Sequence, residues 1–226
     1  MRAALVPFIE SAQLVDSALA DLAAVRDAIT ARRAEDTDEI SFFHSVPAHH
    51  HRMGLLLARR GDHAAARAAF GDALLEDLSY FPSHFALAEL AMQANDTVTA
   101  LAESALAAEL APAEPKVHLQ RGDVLMWTGQ YADAAASFER AASLAPRFAL
   151  AYYRMADALD AAGQATAALG AYRVFLTLAY AEHPMRGVAT QRIEALERPA
   201  AQKPPSASPS PGNTGRMDAN PEISKT

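Results

Sequence analysis

Along the middle of the chain, certain positions hold only small residues, and these positions recur every 34 residues. Displacing the sequence by this interval aligns Gly61, Asn95, Gly129 and Gly163 in one column. Glycine and asparagine are the residues that best tolerate the left-handed backbone of a turn after a helix. Apolar residues fill the segments between these turns, so the pattern predicts an array of helix–turn–helix units.

Two further columns set the size of residues within each unit. The first column holds only small residues: Gly54, Ala88, Gly122 and Ala156. The second holds a large residue in three of the four units: Phe70, Ser104, Phe138 and Tyr172. Five of the 10 glycines fall into the turn column and the small column, which chance does not readily produce. A tight antiparallel helix pair needs a small residue where the backbones approach, and a large residue fills the remaining gap. Each pair leaves an apolar face open, so successive pairs must stack.

The unit from residue 115 to residue 148 gives the clearest element prediction. Pro115 suits the first turn of a helix, where its missing N–H is no loss, and Gly129 ends that helix. A second helix is predicted over residues 131–144, and Pro146 stops it.

A 34-residue helix–turn–helix unit with Gly, Ala, Phe and Pro in this order resembles the tetratricopeptide-repeat (TPR) family. The resemblance implies an all-α protein, an α-solenoid of about four TPR units. The implied units are residues 47–80, 81–114, 115–148 and 149–182. Departures from the family pattern are Ser104 at the large position and Tyr180 in place of the final proline.

The flanking segments do not match the repeat. Residues 1–46 contain a helical apolar stripe and are expected to form an N-terminal capping helix over the first unit: Leu14, Val15, Leu19, Leu22, Val25 and Ile29. Residues 183–198 are expected to form the C-terminal capping helix. Residues 199–226 are rich in Pro and Ser and are predicted to be a disordered tail, because they have too little apolar content to fold.

In TPR proteins the first helix of each unit lines a concave groove that binds a peptide or protein. By this resemblance the groove combines apolar and aromatic positions with an acidic strip: His51, Phe85, Met92, Leu119, Met126, Trp127 and Tyr153, then Glu89, Asp123, Asp157 and Asp160. Such a surface favours a partner with apolar and basic side chains. The alternative is that the acids only keep the surface soluble. An acidic chaperone C-terminus is disfavoured, since only Lys116 suits the basic clamp that this ligand requires.

Composition and charge restrict the chemistry further. The net charge of -7 argues against binding to nucleic acid or an anionic membrane, and the absence of cysteine removes thiol chemistry. His49, His50 and His51 are consecutive, so on a helix they point about 100° apart and do not converge on a metal. No HExxH, phosphate-loop or GxSxG motif occurs. We therefore expect a non-enzymatic protein without cofactor or metal, and the lack of a leader or apolar span favours the cytoplasm.

Three functional hypotheses fit this sequence. The first is a scaffold or adaptor that binds a peptide or protein in its groove. The second is a structural assembly subunit of a larger complex or homo-oligomer. The third is a regulatory accessory of a separately encoded enzyme, tethered by the tail. The sequence leaves the oligomeric state open.

Deletion of residues 199–226 should leave helicity and the melting temperature nearly unchanged, because few buried contacts are expected in a Pro- and Ser-rich segment. Circular dichroism and thermal melts of the full chain and of the truncated chain test this expectation. A large fall in the melting temperature would show that the tail packs on the solenoid.

Overall fold

A computed structural model of the chain describes residues 6–34 and 46–198 and contains ten α-helices and no strand in those two segments. The all-α prediction is confirmed. The predicted tail, residues 199–226, lies outside the described residues. The helices, in chain order, are α1 (Val6–Ala34), α2 (Val46–Arg59), α3 (His63–Glu76), α4 (Phe81–Gln93), α5 (Thr97–Leu110), α6 (Pro115–Trp127), α7 (Tyr131–Leu144), α8 (Ala149–Ala161), α9 (Ala165–Leu178) and α10 (Met185–Glu197).

The turn column has the predicted backbone conformation. Gly61, Asn95, Gly129 and Gly163 have φ values of 83°, 57°, 77° and 76°, and each lies in the turn between the two helices of a pair. The pairs are α2 with α3, α4 with α5, α6 with α7, and α8 with α9. In each of the first two pairs an aspartate caps the second helix, as Asp62 does by accepting a hydrogen bond from Ala65 N at 3.1 Å.

An aromatic ring lies against the backbone of the opposite helix in two of the pairs. A Cβ atom placed on Gly54 would meet Phe70 Cε1 at 2.4 Å, and one placed on Gly122 would meet Phe138 Cε1 at the same distance. Both rings are buried. The small column thus contains glycine where a Phe ring occupies the space that a side chain would need.

The pairs stack in chain order, with their first helices on the inner side. In succession α2 contacts α4, α4 contacts α6, and α6 contacts α8, whereas α3, α5, α7 and α9 make no comparable contacts with one another. The first helices are therefore the more closely spaced set and line the concave face of the solenoid.

Helices α1 and α10 pack at the two ends. Asp16 of α1 accepts a hydrogen bond from Arg60 at 2.9 Å, while Leu14 of the predicted stripe is 71% exposed. At the other end, Ile193 of α10 packs on the buried cluster around Tyr172. Arg186 donates to the carbonyl oxygens that end α9, at 2.6 and 2.9 Å. Within the described segments, no helix has the length and hydropathy that a bilayer span requires.

Gly122→Ala should destabilise the protein by roughly 1–3 kcal/mol, because the new methyl group displaces the buried Phe138 ring. Gly170→Ala is the matched control, since a Cβ atom there meets nothing within 4 Å. That helix position is exposed, and alanine should stabilise it by up to about 1 kcal/mol. Chemical denaturation measures both values, and equal effects of the two substitutions would contradict the close packing at Gly122.

Candidate functional site in the concave groove

The concave face contains three adjoining cavities between the first helices of the first three pairs. The cavity between α4 and α6 has a volume of about 510 Å³, and we call it the central cavity. Its neighbours measure about 390 and 380 Å³ and extend the groove to α2, and Glu89 borders all three. The groove is therefore continuous over three helix pairs. The central cavity, named for its place near the middle of the chain, lies at the α6 end of this groove.

Five of the predicted groove residues meet in the central cavity: Phe85, Glu89, Met92, Leu119 and Asp123. Gln93, Lys116, Gln120 and Phe148 also line it, although the sequence did not single them out as groove anchors. The walls are thus mainly aromatic and aliphatic. The polar side chains come chiefly from α6.

His51 lines the neighbouring cavity of about 390 Å³, next to Leu55 and Phe81. Its ring lies 5.2 Å from the ring of Phe70 and 5.6 Å from that of Tyr80. Burial, assisted by the charge of Arg52, lowers the pKa of His51. Its Nδ1 lies 3.3 Å from Ser83 Oγ, so the ring is held between a hydroxyl group and two aromatic neighbours at this wall of the groove.

Gln120 is buried against the backbone of α4. Its Nε2 donates to Phe85 O at 2.8 Å, which ties α6 to α4 across the base of the central cavity. Its Oε1 is also buried and has no hydrogen-bond donor. Because most buried polar atoms are paired, this oxygen is an acceptor that a bound group could satisfy.

Asp123 lies one helical turn beyond Gln120 and is also incompletely paired. Arg154 Nε is 3.4 Å from Asp123 Oδ1, within reach of an ion pair but not aligned for a hydrogen bond. Burial raises the pKa of Asp123, and the charge of Arg154 opposes that rise. Oδ1 is therefore buried without a hydrogen-bond donor, although the Asp123 side chain as a whole is 30% exposed.

Three predicted residues belong instead to the packing of the fourth pair. Tyr153 is only 8% exposed, and its ring lies 5.2 Å from the ring of Phe175. Asp157 accepts a hydrogen bond from Tyr172 Oη at 2.6 Å, and Asp160 pairs with Arg192 of α10. In this half of the groove the aromatic and acidic positions are thus held by other residues of the chain.

The remaining two predictions lie away from the three cavities. Met126 packs against the buried cluster that contains Leu125 and Phe138. Trp127 is the last residue of α6 and is 38% exposed. Among the described residues, no three histidine or acidic side chains come together in a way that could hold a metal ion.

Replacement of Asp157 by asparagine should change the pH dependence of stability. Burial raises the pKa of Asp157, although the hydrogen bond from Tyr172 and the charge of Arg154 oppose the rise. The folded state therefore holds the Asp157 proton more tightly than the unfolded state. This carboxyl consequently destabilises the fold as pH rises from its ordinary pKa, about 3.9, through the raised value.

The asparagine side chain of the Asp157→Asn variant cannot ionise but keeps an oxygen to accept the hydrogen bond from Tyr172. The melting temperature of this variant relative to the parent should therefore increase between about pH 3.5 and pH 7. Thermal melts over this range measure the difference, and a constant difference would contradict the raised pKa.

Comparison with known proteins identifies the repeat and the fold. A family model of the tetratricopeptide repeat matches residues 115–148. No curated protein matches the chain significantly. Among solved structures, YrrB, described as a TPR protein with an unusual peptide-binding site, has a TM-score of 0.60 and 18% identity, covering 82% of this chain and 91% of that one.

Two structures of MamA are also similar. One has a TM-score of 0.60 at 19% identity, covering 67% of this chain and 81% of that one. The other, MamA 41-end from Desulfovibrio magneticus RS-1, has a TM-score of 0.55 at 16% identity, covering 74% of this chain and 94% of that one. Identities this low establish the fold alone. Residues 115–148 are thus a tetratricopeptide repeat by sequence, and the described chain has the fold of tetratricopeptide-repeat solenoids.

Proposed function

We propose that the chain is a non-enzymatic adaptor that binds a polypeptide segment of a protein partner in the groove formed by α2, α4 and α6. The central cavity carries this proposal. It is an open site of about 510 Å³ whose aromatic and aliphatic walls surround polar side chains, as is typical of sites that anchor one side chain of a ligand.

The groove also has the form that an extended segment requires. Three adjoining cavities provide successive places for side chains, and Phe85 lies between the central cavity and its neighbour that contains His51. Apolar side chains match these walls, and basic side chains match Glu89 and Asp123. The fold likeness to YrrB supports a peptide as the ligand, since that protein is described as having a peptide-binding site.

In this proposal the C-terminal half of the solenoid contributes less to ligand binding than the N-terminal half. Asp157 and Asp160 are occupied by Tyr172 and Arg192, and Tyr153 is buried. A ligand there would have to compete with contacts within the protein. The binding surface is therefore assigned to the first three helix pairs.

Glu89→Trp should block the groove, because Glu89 is exposed and borders all three cavities. Glu109→Trp on α5 is the matched control: it removes the same charge and adds the same bulk at another exposed position, which lines none of these cavities. Peptides selected by the parent from a random display library should bind Glu109→Trp like the parent. They should bind Glu89→Trp at least about tenfold more weakly.

Titration calorimetry with the selected peptides measures these affinities, and melting curves confirm that both variants are folded. Equal binding to Glu89→Trp would place the binding surface elsewhere. Failure of the parent to select any peptide would also contradict the proposal.

A further inference from the structure

We infer that the central cavity receives an arginine side chain of the partner, with its guanidinium group at Gln120 and Asp123 and its aliphatic stem along Phe85 and Leu119. This inference rests on the proposed function and specifies the chemistry of the same site.

Two buried acceptors without hydrogen-bond donors show which chemical group is missing. Gln120 Oε1 and Asp123 Oδ1 have both lost contact with water, and neither has a hydrogen-bond donor. Gln120 is 9% exposed, so solvent does not compensate for the missing partner. A ligand that brings N–H donors into the cavity removes this deficit after small rotations of the two side chains.

The spacing of these acceptors favours arginine over lysine. Residues 120 and 123 are three positions apart on α6, so their side chains project from the same face at about 5–6 Å between Cβ atoms. A planar guanidinium group carries five N–H donors in a fixed fork and reaches two acceptors at once. A lysine ammonium group is a compact point charge and lacks that planar geometry.

The charges around the cavity favour a cation. Glu89 faces it from α4 and Asp123 from α6, while Lys116 of α6 is the basic residue in its lining. Arg154 of α8 forms an ion pair with Asp123 at 3.4 Å but leaves its Oδ1 without a hydrogen bond. An acidic ligand would depend on Lys116, which is exposed, and would meet both carboxylates.

The walls suit the rest of an arginine side chain. Phe85, Met92, Leu119 and Phe148 surround the cavity with aromatic and aliphatic atoms. An arginine stem packs on such atoms while its head remains with polar groups. An aromatic face beside the guanidinium group adds a favourable cation–π contact.

Met92 provides a direct probe, because its side chain belongs to the cavity lining. The protein is labelled with ¹³C at all methionine methyl groups, and the Met92 signal is assigned with Met92→Leu. The parent is titrated with N-acetyl-arginine methylamide and with the corresponding derivatives of lysine, citrulline, norleucine and glutamate. Citrulline keeps the shape of arginine without its charge, and norleucine keeps only an aliphatic stem.

The arginine derivative should shift the Met92 signal, and the signal of Met155, which does not line the central cavity, should stay in place. Citrulline, norleucine and glutamate should bind at least about tenfold more weakly than arginine, and lysine should be intermediate. Equal shifts by arginine and norleucine would overturn the inference, because the cavity would then be simply apolar. A preference for glutamate, or no shift by arginine, would also overturn it.

Asp123→Asn should weaken arginine binding by about tenfold, because the guanidinium group of the ligand loses its anionic partner. Asp133→Asn removes the same charge from an exposed position on α7 and should leave the affinity unchanged. Equal affinities for the two variants would contradict the role of Asp123.

The two proposals fail separately. If the selected peptides bind Glu89→Trp more weakly than the parent but the arginine derivative does not shift the Met92 signal, the groove binds peptides and the arginine inference is wrong. If arginine shifts Met92 but no selected peptide responds to Glu89→Trp, the cavity binds guanidinium groups and the adaptor proposal is wrong.

Discussion

The solenoid depends on the close approach of two helix backbones within each pair. At Gly54 and Gly122 this approach is so tight that a phenylalanine ring occupies the space of a missing side chain, 2.4 Å from where a Cβ atom would be. The turn must reverse the chain within a few residues to allow it, which explains why the turn column holds residues with positive φ. Pairs built in this way have similar dimensions and stack with their first helices together on the concave face.

The same stacking determines which polar residues on the concave face can still bind a ligand. In the fourth pair, Asp160 reaches Arg192 on α10, and Asp157 reaches the hydroxyl of Tyr172. Helix α10 thus takes part in satisfying the acids at its end of the groove. Around α4 and α6 no comparable helix of the described segments covers the face, and Gln120 and Asp123 keep oxygen atoms without donors. The proposed site lies where the protein's own side chains leave buried acceptors without hydrogen-bond donors.

The repeat could be predicted from the sequence because the signals that define it lie within each helix pair. Turn residues such as Gly129 and the helix start at Pro115 are local signals, and the structure confirms both. The burial of Tyr153 was not predictable in this way, because it depends on Phe175 across the pair and on the end helix beyond. Gln120 produced no signal either. Its column also holds Arg52, Ala86 and Arg154, and only the carbonyl group of Phe85 makes a buried glutamine favourable there.

The second pair is where folding and binding are most closely connected. Ser104 takes the place of the ring that fills the first, third and fourth pairs, and Ala88 stands opposite in the small column. Most buried residues here are small, as Ala91 and Ala100 show, and Leu90 is the one large aliphatic side chain among them, so this pair has less apolar area to stabilise it. Its helix α4 also forms one wall of the central cavity. A ligand side chain placed between α4 and α6 would add apolar contacts beside the pair with the smallest side chains. Any ligand that binds only the folded state stabilises the folded state. Partner binding should therefore strengthen the contact of α4 with α6.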